Sequence, residues 1–466
     1  MTWSLSTVDT KQWQEASERL QSGTLTLLGL WGEPGRAHMA LMDRATKEFT
    51  VLALACPDGR FPSVGRLHAP AIRLERTMRD LHGLEATGLP DTRPWLDHRQ
   101  PYRFLPVEGE SLHQIPVGPV HAGIIEPGHF RFTANGETVV RLEQRLGYVH
   151  KGTESLLAGA PLERASLLAG RVSGDSTVAF ALAFSQAVER ALGLEIPPRA
   201  IWLRALMAEL ERLANHFGDI GAVCNDAAFT ILHAQLGFLR EQVLRAADRA
   251  FGHRLMMDRV MPGGVRGDLT AESVDALRAL LALVRRQFPD LVEVYDNTES
   301  LKDRTVSTGI VTPALVEQFG AGGYVGRASG RSFDARRTPG YAPYDRLQFE
   351  VPMVQAGDVN ARVWIRIREV DQSLSLIEQM LAALPAGPIS IPIPGTTGEG
   401  VALVEGFRGD VLAWVRLGAG RVERCHLRDP SWFHWPLLEA AIEGNIVADF
   451  PLCNKSFNCS YSGHDL

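Results

Sequence analysis

The chain has 466 residues, of which 45% are hydrophobic and 22% are charged. This balance is typical of a folded globular protein, and the length predicts two or three domains. The net charge of −6 gives no sign of a nucleic-acid-binding surface. No apolar run approaches the ~20 residues that a membrane-spanning helix needs, and the amino terminus lacks a secretory signal, so any membrane contact is expected to be peripheral.

Residues 1–105 predict a small α+β domain. Apolar runs at 24–28 and 49–54 are typical of strands, whereas residues 69–81 place apolar side chains at helical spacing. A polar, proline-containing stretch at 90–101 predicts a linker to the rest of the chain.

Residues 106–466 predict a larger domain that is mainly helical. Prolines and glycines interrupt an extended pattern at 115–138. Helices are then expected at 165–192, 199–220, 235–251, 271–288 and 371–384. The first of these is apolar almost all round, which indicates a buried helix at the centre of a bundle. Short strands and turns are expected from residue 388 onward.

Five cysteines are scattered along the chain, and their odd number predicts reduced thiols rather than a disulfide framework. Cys453 and Cys459 are close in sequence, but five intervening residues match no zinc or iron–sulfur spacing. The glycine-rich segment 320–326 lacks the preceding strand and the following acidic residue of a dinucleotide-binding loop. We therefore expect no dinucleotide site in this chain.

Short motifs follow one another along the larger domain. They are GPVHAG at 118–123, EPGHFRF at 126–132, YVHKGTE at 148–154, PPRA at 197–200, ELERLANH at 209–216, PGGV at 262–265, RASG at 327–330 and DAR at 334–336. In this order they resemble the large subunit of energy-converting nickel–iron hydrogenases of the formate hydrogenlyase type, and the quinone-site subunit of respiratory complex I. The resemblance covers about three-quarters of the chain, from Pro116 to the carboxyl end.

The resemblance implies an α+β protein with a large helix-bundle core and peripheral short strands at 106–466. Residues 61–94 also resemble the end of the small complex I subunit that is often fused in front of this one. Residues 1–105 are therefore expected to be a shortened form of that small subunit.

The cysteines that hold the metal in the hydrogenase family have no counterparts here. A nickel–iron centre needs four soft thiolates, and the resemblance places the four ligand positions at Ser173, Ser176, Ser460 and Gly463. A serine hydroxyl is a poor, hard ligand, and glycine has no side chain. We therefore expect no metal in this chain and no activity as a nickel–iron hydrogenase.

The resemblance also implies a chamber where complex I binds a quinone headgroup. A histidine and a tyrosine donate hydrogen bonds to the quinone there; the histidine corresponds to His121 or to His129, but the tyrosine position is Gly174. The side chains expected to bind a cofactor instead are His121, His129, Ser173, Asp175, Ser176, Arg327 and Tyr461. Quinone is thus a candidate cofactor, but this chain lacks the tyrosine donor through which complex I binds it. The iron–sulfur cluster is expected in a partner subunit.

Glu154, Asp175 and His121 are the expected catalytic residues, and Glu126 is a further candidate for proton movement. A buried carboxylate has a raised pKa and can exchange protons near neutrality. The alternative is a structural role: a histidine in a turn, or an acid that caps a helix or pairs with an arginine.

Arg171 and Arg199 are the expected arginine partners in that alternative. Arg327, Asp334 and Arg336 are expected to form an ion-pair network that lines the chamber.

The function implied by the resemblance is that of a peripheral-arm subunit of a membrane-bound oxidoreductase complex, on the cytoplasmic side of the inner membrane. It would pack against a small iron–sulfur subunit, dock onto antiporter-like membrane subunits, and couple electron transfer to proton movement. The alternative is a non-catalytic scaffold between the same partners. The sequence leaves open the electron donor and acceptor, the pumped ion and the stoichiometry.

Overall fold

The computed structural model describes residues 3–99, 101–121, 123, 125–395 and 397–466. The strands are β1 Trp3–Val8, β2 Leu25–Glu33, β3 Arg36–Asp43, β4 Phe49–Ala55, β5 Arg60–Pro62, β6 Glu85–Thr87, β7 Leu112–Val117, β8 His129–Asn135, β9 Thr138–Arg145, β10 Val260–Met261, β11 Gly264–Val265, β12 Gly398–Glu405, β13 Asp410–Gly418 and β14 Arg421–Arg428. The helices are α1 Thr10–Gln21, α2 Ile72–His82, α3 Thr153–Leu157, α4 Leu162–Ala169, α5 Thr177–Leu192, α6 Pro198–Asp226, α7 Thr230–Phe251, α8 Ala271–Asn297, α9 Glu299–Thr305, α10 Pro313–Phe319, α11 Gly323–Ala328, α12 Val359–Ala383, α13 Ser431–Ile442, α14 Phe450–Phe457 and α15 Tyr461–Asp465.

The amino-terminal sheet has the strand order β1-β4-β3-β2, in which β1 runs parallel to β4 and the other pairs are antiparallel. Asp9 caps α1 by accepting a hydrogen bond from the backbone of Gln12. Every residue of β2 is buried, because this strand also meets the carboxyl-terminal half, where Arg428 donates to the carbonyl of Leu28. The amino-terminal sheet and the carboxyl-terminal half therefore share an interface. A domain boundary at residue 105 stays a prediction.

The helix bundle is formed by α5, α6, α7, α8 and α12, which share one apolar core with the antiparallel sheet β12-β13-β14. Helix α5 lies directly on β12. A Cβ atom on Gly400 would stand 2.1 Å from the carbonyl oxygen of Ala187, and one on Gly398 would stand 2.0 Å from that of Ala191. The two glycines therefore permit the close packing that buries α5, as the sequence predicts.

Two predicted elements are wrong. The helix expected at 165–192 is broken, since α4 ends at Ala169 and α5 begins at Thr177. The intervening segment contains two glycines and three small polar residues, which favour turns over helix. Helix α13 lies where strands and turns were expected; it is buried on nearly all sides and so lacks an amphipathic pattern.

Among the described residues, none of the helices is both long and apolar enough to cross a membrane.

Candidate functional site: a chamber without metal ligands

The four ligand positions lie together in the folded chain. Ser173 and Ser176 stand in the turn before α5, while Ser460 and Gly463 belong to the start of α15. Ser460 Oγ lies 3.4 Å from Ser173 Oγ and accepts a hydrogen bond from the backbone of Gly463 at 2.9 Å. Two segments that are far apart in the sequence thus form one buried site, which we call the chamber.

An arginine that the sequence analysis missed occupies this site. Arg408 stands in the turn between β12 and β13 and makes a bidentate ion pair with Asp175, at 2.9 Å through Nη1 and 2.5 Å through Nη2. The same guanidinium donates to Ser176 Oγ at 3.1 Å and to the carbonyl of Asn458 at 2.5 Å. Arg408 therefore connects the turn before α5 to the carboxyl-terminal segment.

The expected arginine partners of the candidate carboxylates are wrong. Arg171 pairs with Asp258 and Arg199 pairs with Asp268, both near the surface. The sequence around Arg408 carries no local signal for its true role, because a short turn between two strands is an ordinary place for an exposed arginine. Only the packing of that turn against the start of α5 brings Arg408 to Asp175.

The predicted raised pKa of a buried carboxylate is wrong for Asp175. Burial acts to raise this pKa, but the charge of Arg408 and hydrogen bonds from Arg408, Ser173 and Ser176 outweigh burial and hold the pKa at about 2. Asp175 is therefore a fixed anion near neutral pH. The hydroxyls of both serines point to Asp175 Oδ1 and are not directed at open space.

A nickel–iron centre does not fit these residues. No thiol stands at the four positions, and the guanidinium of Arg408 places a positive charge among them. A Cβ atom on Gly463 would stand 2.3 Å from Asp429 Oδ2, so a cysteine there would clash. All five cysteines are buried and free. Within the described ranges, no group of three or more His, Cys, Asp or Glu side chains could hold a metal ion.

The predicted hairpin residues contact the carboxyl-terminal segment. Tyr461 packs edge-to-face on Trp435, and a Cβ atom on Gly128 would stand 2.6 Å from the Tyr461 ring. Ser462 Oγ also lies 3.3 Å from a carboxylate oxygen of Glu126. The hairpin, the turn before α5 and the carboxyl-terminal segment thus meet as the resemblance implies.

The two hairpin histidines differ in their surroundings. His129 is engaged at both ring nitrogens: Nδ1 lies 3.2 Å from the carbonyl of Gly118, and Nε2 accepts from Arg131 at 3.3 Å. His121 packs against Phe130, and within the described part of the chain its Nε2 has no hydrogen-bond partner. His121 is thus the better candidate for binding a ligand, and its role stays a prediction.

Glu154 takes part in a different site. Its carboxylate lies 2.7 Å from His426 Nδ1 and accepts from the backbone of Leu427 at 3.2 Å. Glu154 and His426 line a cavity of about 230 Å³ between the amino-terminal sheet and the carboxyl terminus, with Trp31 and Trp432 among its walls. A catalytic role for Glu154 stays a prediction, and no contact joins it directly to Asp175 among the described residues.

Arg327 lies in a buried ion-pair network, as predicted. Its members among the described residues are Glu209, Arg212, Arg327, Asp334, Arg336, Glu369 and Glu405. Four carboxylates thus face three guanidinium groups. Burial, together with the charge of Asp334, raises the pKa of Glu405 to about 7, so this network holds a proton near neutrality. Arg327 pairs here with Asp334, Glu369 and Glu405, and its binding of a cofactor stays a prediction.

A helix bundle that encloses such a chamber defines a class of protein, the large subunits of hydrogenase-like and complex I-like assemblies. A family described as the 49 Kd subunit of respiratory-chain NADH dehydrogenase matches residues 227–397. Formate hydrogenlyase subunit 5 of Escherichia coli (strain K12) is 32% identical, covering 92% of this chain and 81% of that protein. One subunit of the NADH-quinone oxidoreductase of Syntrophobacter fumaroxidans is 31% identical, covering 75% of this chain and 95% of that protein.

A solved structure agrees with these sequence relatives. In the membrane-bound sulfane sulfur reductase, an archaeal respiratory membrane complex, one chain matches with a TM-score of 0.73 and 26% identity, covering 78% of this chain and all of that one. The chain therefore belongs to the family that unites these hydrogenase-like and complex I-like subunits. The predicted resemblance, the fold class and the oxidoreductase-complex class of function are confirmed.

Proposed function

We propose that the protein is a peripheral-arm subunit of a membrane-bound oxidoreductase complex, in which electrons from an iron–sulfur partner subunit are coupled to proton movement without a nickel–iron centre. The observation that carries this proposal is the retained chamber, in which the ion pair of Arg408 and Asp175 stands at the former ligand positions. Family membership supports a hetero-oligomer with membrane subunits.

The partners and the placement follow from the same proposal. We propose a small iron–sulfur subunit beside the chamber and antiporter-like subunits in the membrane, with this chain on the cytoplasmic side of the inner membrane. The fixed ion pair supplies a preorganised dipole, which stabilises charge that develops nearby without moving the surrounding groups.

The donors at the former ligand positions are not free to bind a quinone in this arrangement. A quinone oxygen requires a hydrogen-bond donor, but the hydroxyls of Ser173 and Ser176 both serve Asp175, and every nitrogen of Arg408 is engaged. Among the described residues, His121 Nε2 and the Tyr461 hydroxyl are instead without a partner, and these two stay the candidates for quinone binding. The engaged serines and Arg408 favour the second candidate function, a non-catalytic scaffold, because former ligand positions whose donors are satisfied internally can be purely structural.

The complex purified from membranes through a tag on this chain tests both candidates. We expect iron without stoichiometric nickel, and co-purification of an iron–sulfur subunit. Asp175→Asn should leave assembly unchanged and lower the turnover of the complex, because the ion pair loses its negative member. Asp268→Asn, which breaks a surface ion pair with Arg199, is the control.

Equal turnover in the two variants would favour the scaffold. A quinone analogue that shifts the iron–sulfur signal would show that the chamber admits quinone. Purification without any iron–sulfur partner would overturn the proposed function, and stoichiometric nickel would overturn the absence of the metal centre.

A further inference from the structure

A second cavity lies behind the turn that carries Asp175. Its volume is about 280 Å³, and it is bounded by α6, α7 and the segment that follows α7. A Cβ atom on Gly174 would meet no atom within 4 Å, so the cavity reaches the backbone of the turn. The side chain of Asp175 is 36% exposed and lines the same cavity. The chamber is therefore accessible to water from this side.

Glu211 on α6 also lines this cavity. Its side chain accepts two hydrogen bonds from the first backbone amides of α5, from Val178 at 2.7 Å and from Ala179 at 3.1 Å. It is buried and, within the described part of the chain, makes no ion pair with lysine or arginine. By contrast, Glu209 on the same helix pairs with both Arg212 and Arg336.

A side-chain amide connects Glu211 to the chamber turn. Asn215 Nδ2 donates to the backbone carbonyls of both Asp175 and Glu211, at 2.8 Å each. Because α5 begins directly after Ser176, a change at its first amides acts on the turn that carries Asp175. The hydrogen bonds of Glu211 and Asn215 thus hold this turn in place from two sides.

The charged groups that face Glu211 come from each element packed around it. They are Asp175 from the turn, Arg212 from α6 itself, Arg240 from α7 and Arg254 from the segment after α7. Burial raises the pKa of Glu211 to about 8, and the negative charge of Asp175 adds to this, against the α5 amides and Arg212. Glu211 therefore holds a proton at neutral pH, whereas Asp175 does not.

We propose that Glu211 takes up a proton from water in this cavity and releases it there, and that its protonation state sets the position of the turn that carries Asp175. A carboxylate accepts a charge-assisted hydrogen bond from each of the two α5 amides, whereas protonation of one oxygen leaves it a weaker, neutral acceptor. Release of the proton to a cavity water restores the stronger hydrogen bond. This inference deepens the proposed function and rests on it for the coupling to electron transfer.

Infrared difference spectroscopy of the purified complex across a pH titration tests the proton itself. We expect several protonated carboxyl bands, because Glu75 and Glu405 also have pKa values of about 7, and the band assigned to Glu211 is the one that disappears with a midpoint near pH 8. The band should be absent in Glu211→Gln and present in Glu75→Gln, which removes a buried carboxyl of the amino-terminal domain. Protection of the Val178 and Ala179 amides, relative to their intrinsic exchange rates at each pH, should be lower below this transition than above it in the unaltered protein, and should be the same on both sides in Glu211→Gln.

The outcomes separate the inference from the proposed function. If Glu211→Gln leaves the band in place, or if the band is absent from the unaltered protein, the inference is wrong even when Asp175→Asn lowers turnover. If the band is assigned to Glu211 but Asp175→Asn leaves turnover unchanged, the proposed function fails and the proton site stands. If Glu211→Gln does not assemble, Glu211→Asp serves instead, and a band whose midpoint does not shift in that variant refutes the inference.

Discussion

Two glycines at the chamber should respond in opposite ways to the addition of one methyl group. At Gly463 the new Cβ atom would stand 2.3 Å from Oδ2 and 2.6 Å from Cγ of Asp429. The carboxylate cannot easily move aside, because the backbone of Ser431 donates to its other oxygen at 2.8 Å and the side chain is buried. Overpacking of this kind costs about 1–3 kcal/mol. At Gly174 the Cβ atom would meet nothing within 4 Å, and the φ angle is not positive, so Gly174→Ala should change stability by less than about 0.5 kcal/mol.

Urea unfolding followed by tryptophan fluorescence measures the difference between Gly463→Ala and Gly174→Ala. A double variant that adds Asp429→Ala isolates the clash, because removal of the carboxylate should recover at least about 1 kcal/mol of the Gly463→Ala penalty. If both glycine variants are equally stable, or if the Gly463→Ala penalty persists without the Asp429 carboxylate, the steric reasoning is wrong. Retained binding of the iron–sulfur partner shows that each variant folds.

Three further predictions concern the metal, the buried network and pH. Cysteines at all four ligand positions should leave the protein free of nickel, since Arg408 and the Asp429 carboxylate remain in the site; metal analysis that finds stoichiometric nickel would contradict this. Arg327→Met should cost about 3–5 kcal/mol in urea unfolding because four buried carboxylates are then left with two guanidinium groups, whereas Arg285→Met at an exposed pair should cost less than about 1 kcal/mol. Burial raises the pKa of Glu75 from 4.5 to about 7, so the folded state holds a proton that the unfolded chain has lost between these values. The stability that this proton contributes should therefore fall by about 3 kcal/mol as pH rises from 4.5 through 7, and it is measured as the difference between the unaltered protein and Glu75→Gln; a difference that stays constant over this range would refute the assignment.

Local pattern predicted much of the fold. The strands at 24–28 and 49–54 and most long helices are present, because hydrophobic periodicity is set by which faces each element buries. Hydrophobic periodicity did not predict the elements that are buried on all sides. Helix α13 is buried on nearly all sides and therefore has no amphipathic period, and the break between α4 and α5 is marked by glycines and small polar residues, not by a change of period.

The candidate site shows the same division. The sequence by itself determined that thiolates are missing from the four ligand positions, because the identity of a ligand is a property of single residues. Only the tertiary structure decided what took their place. Arg408 lies 233 residues from Asp175, and the ion pair between them arises because the turn after β12 and the start of α5 pack together. That packing holds Asp175 ionised and leaves Glu211 with the proton, since pKa values depend on burial and neighbouring charge rather than on position in the sequence.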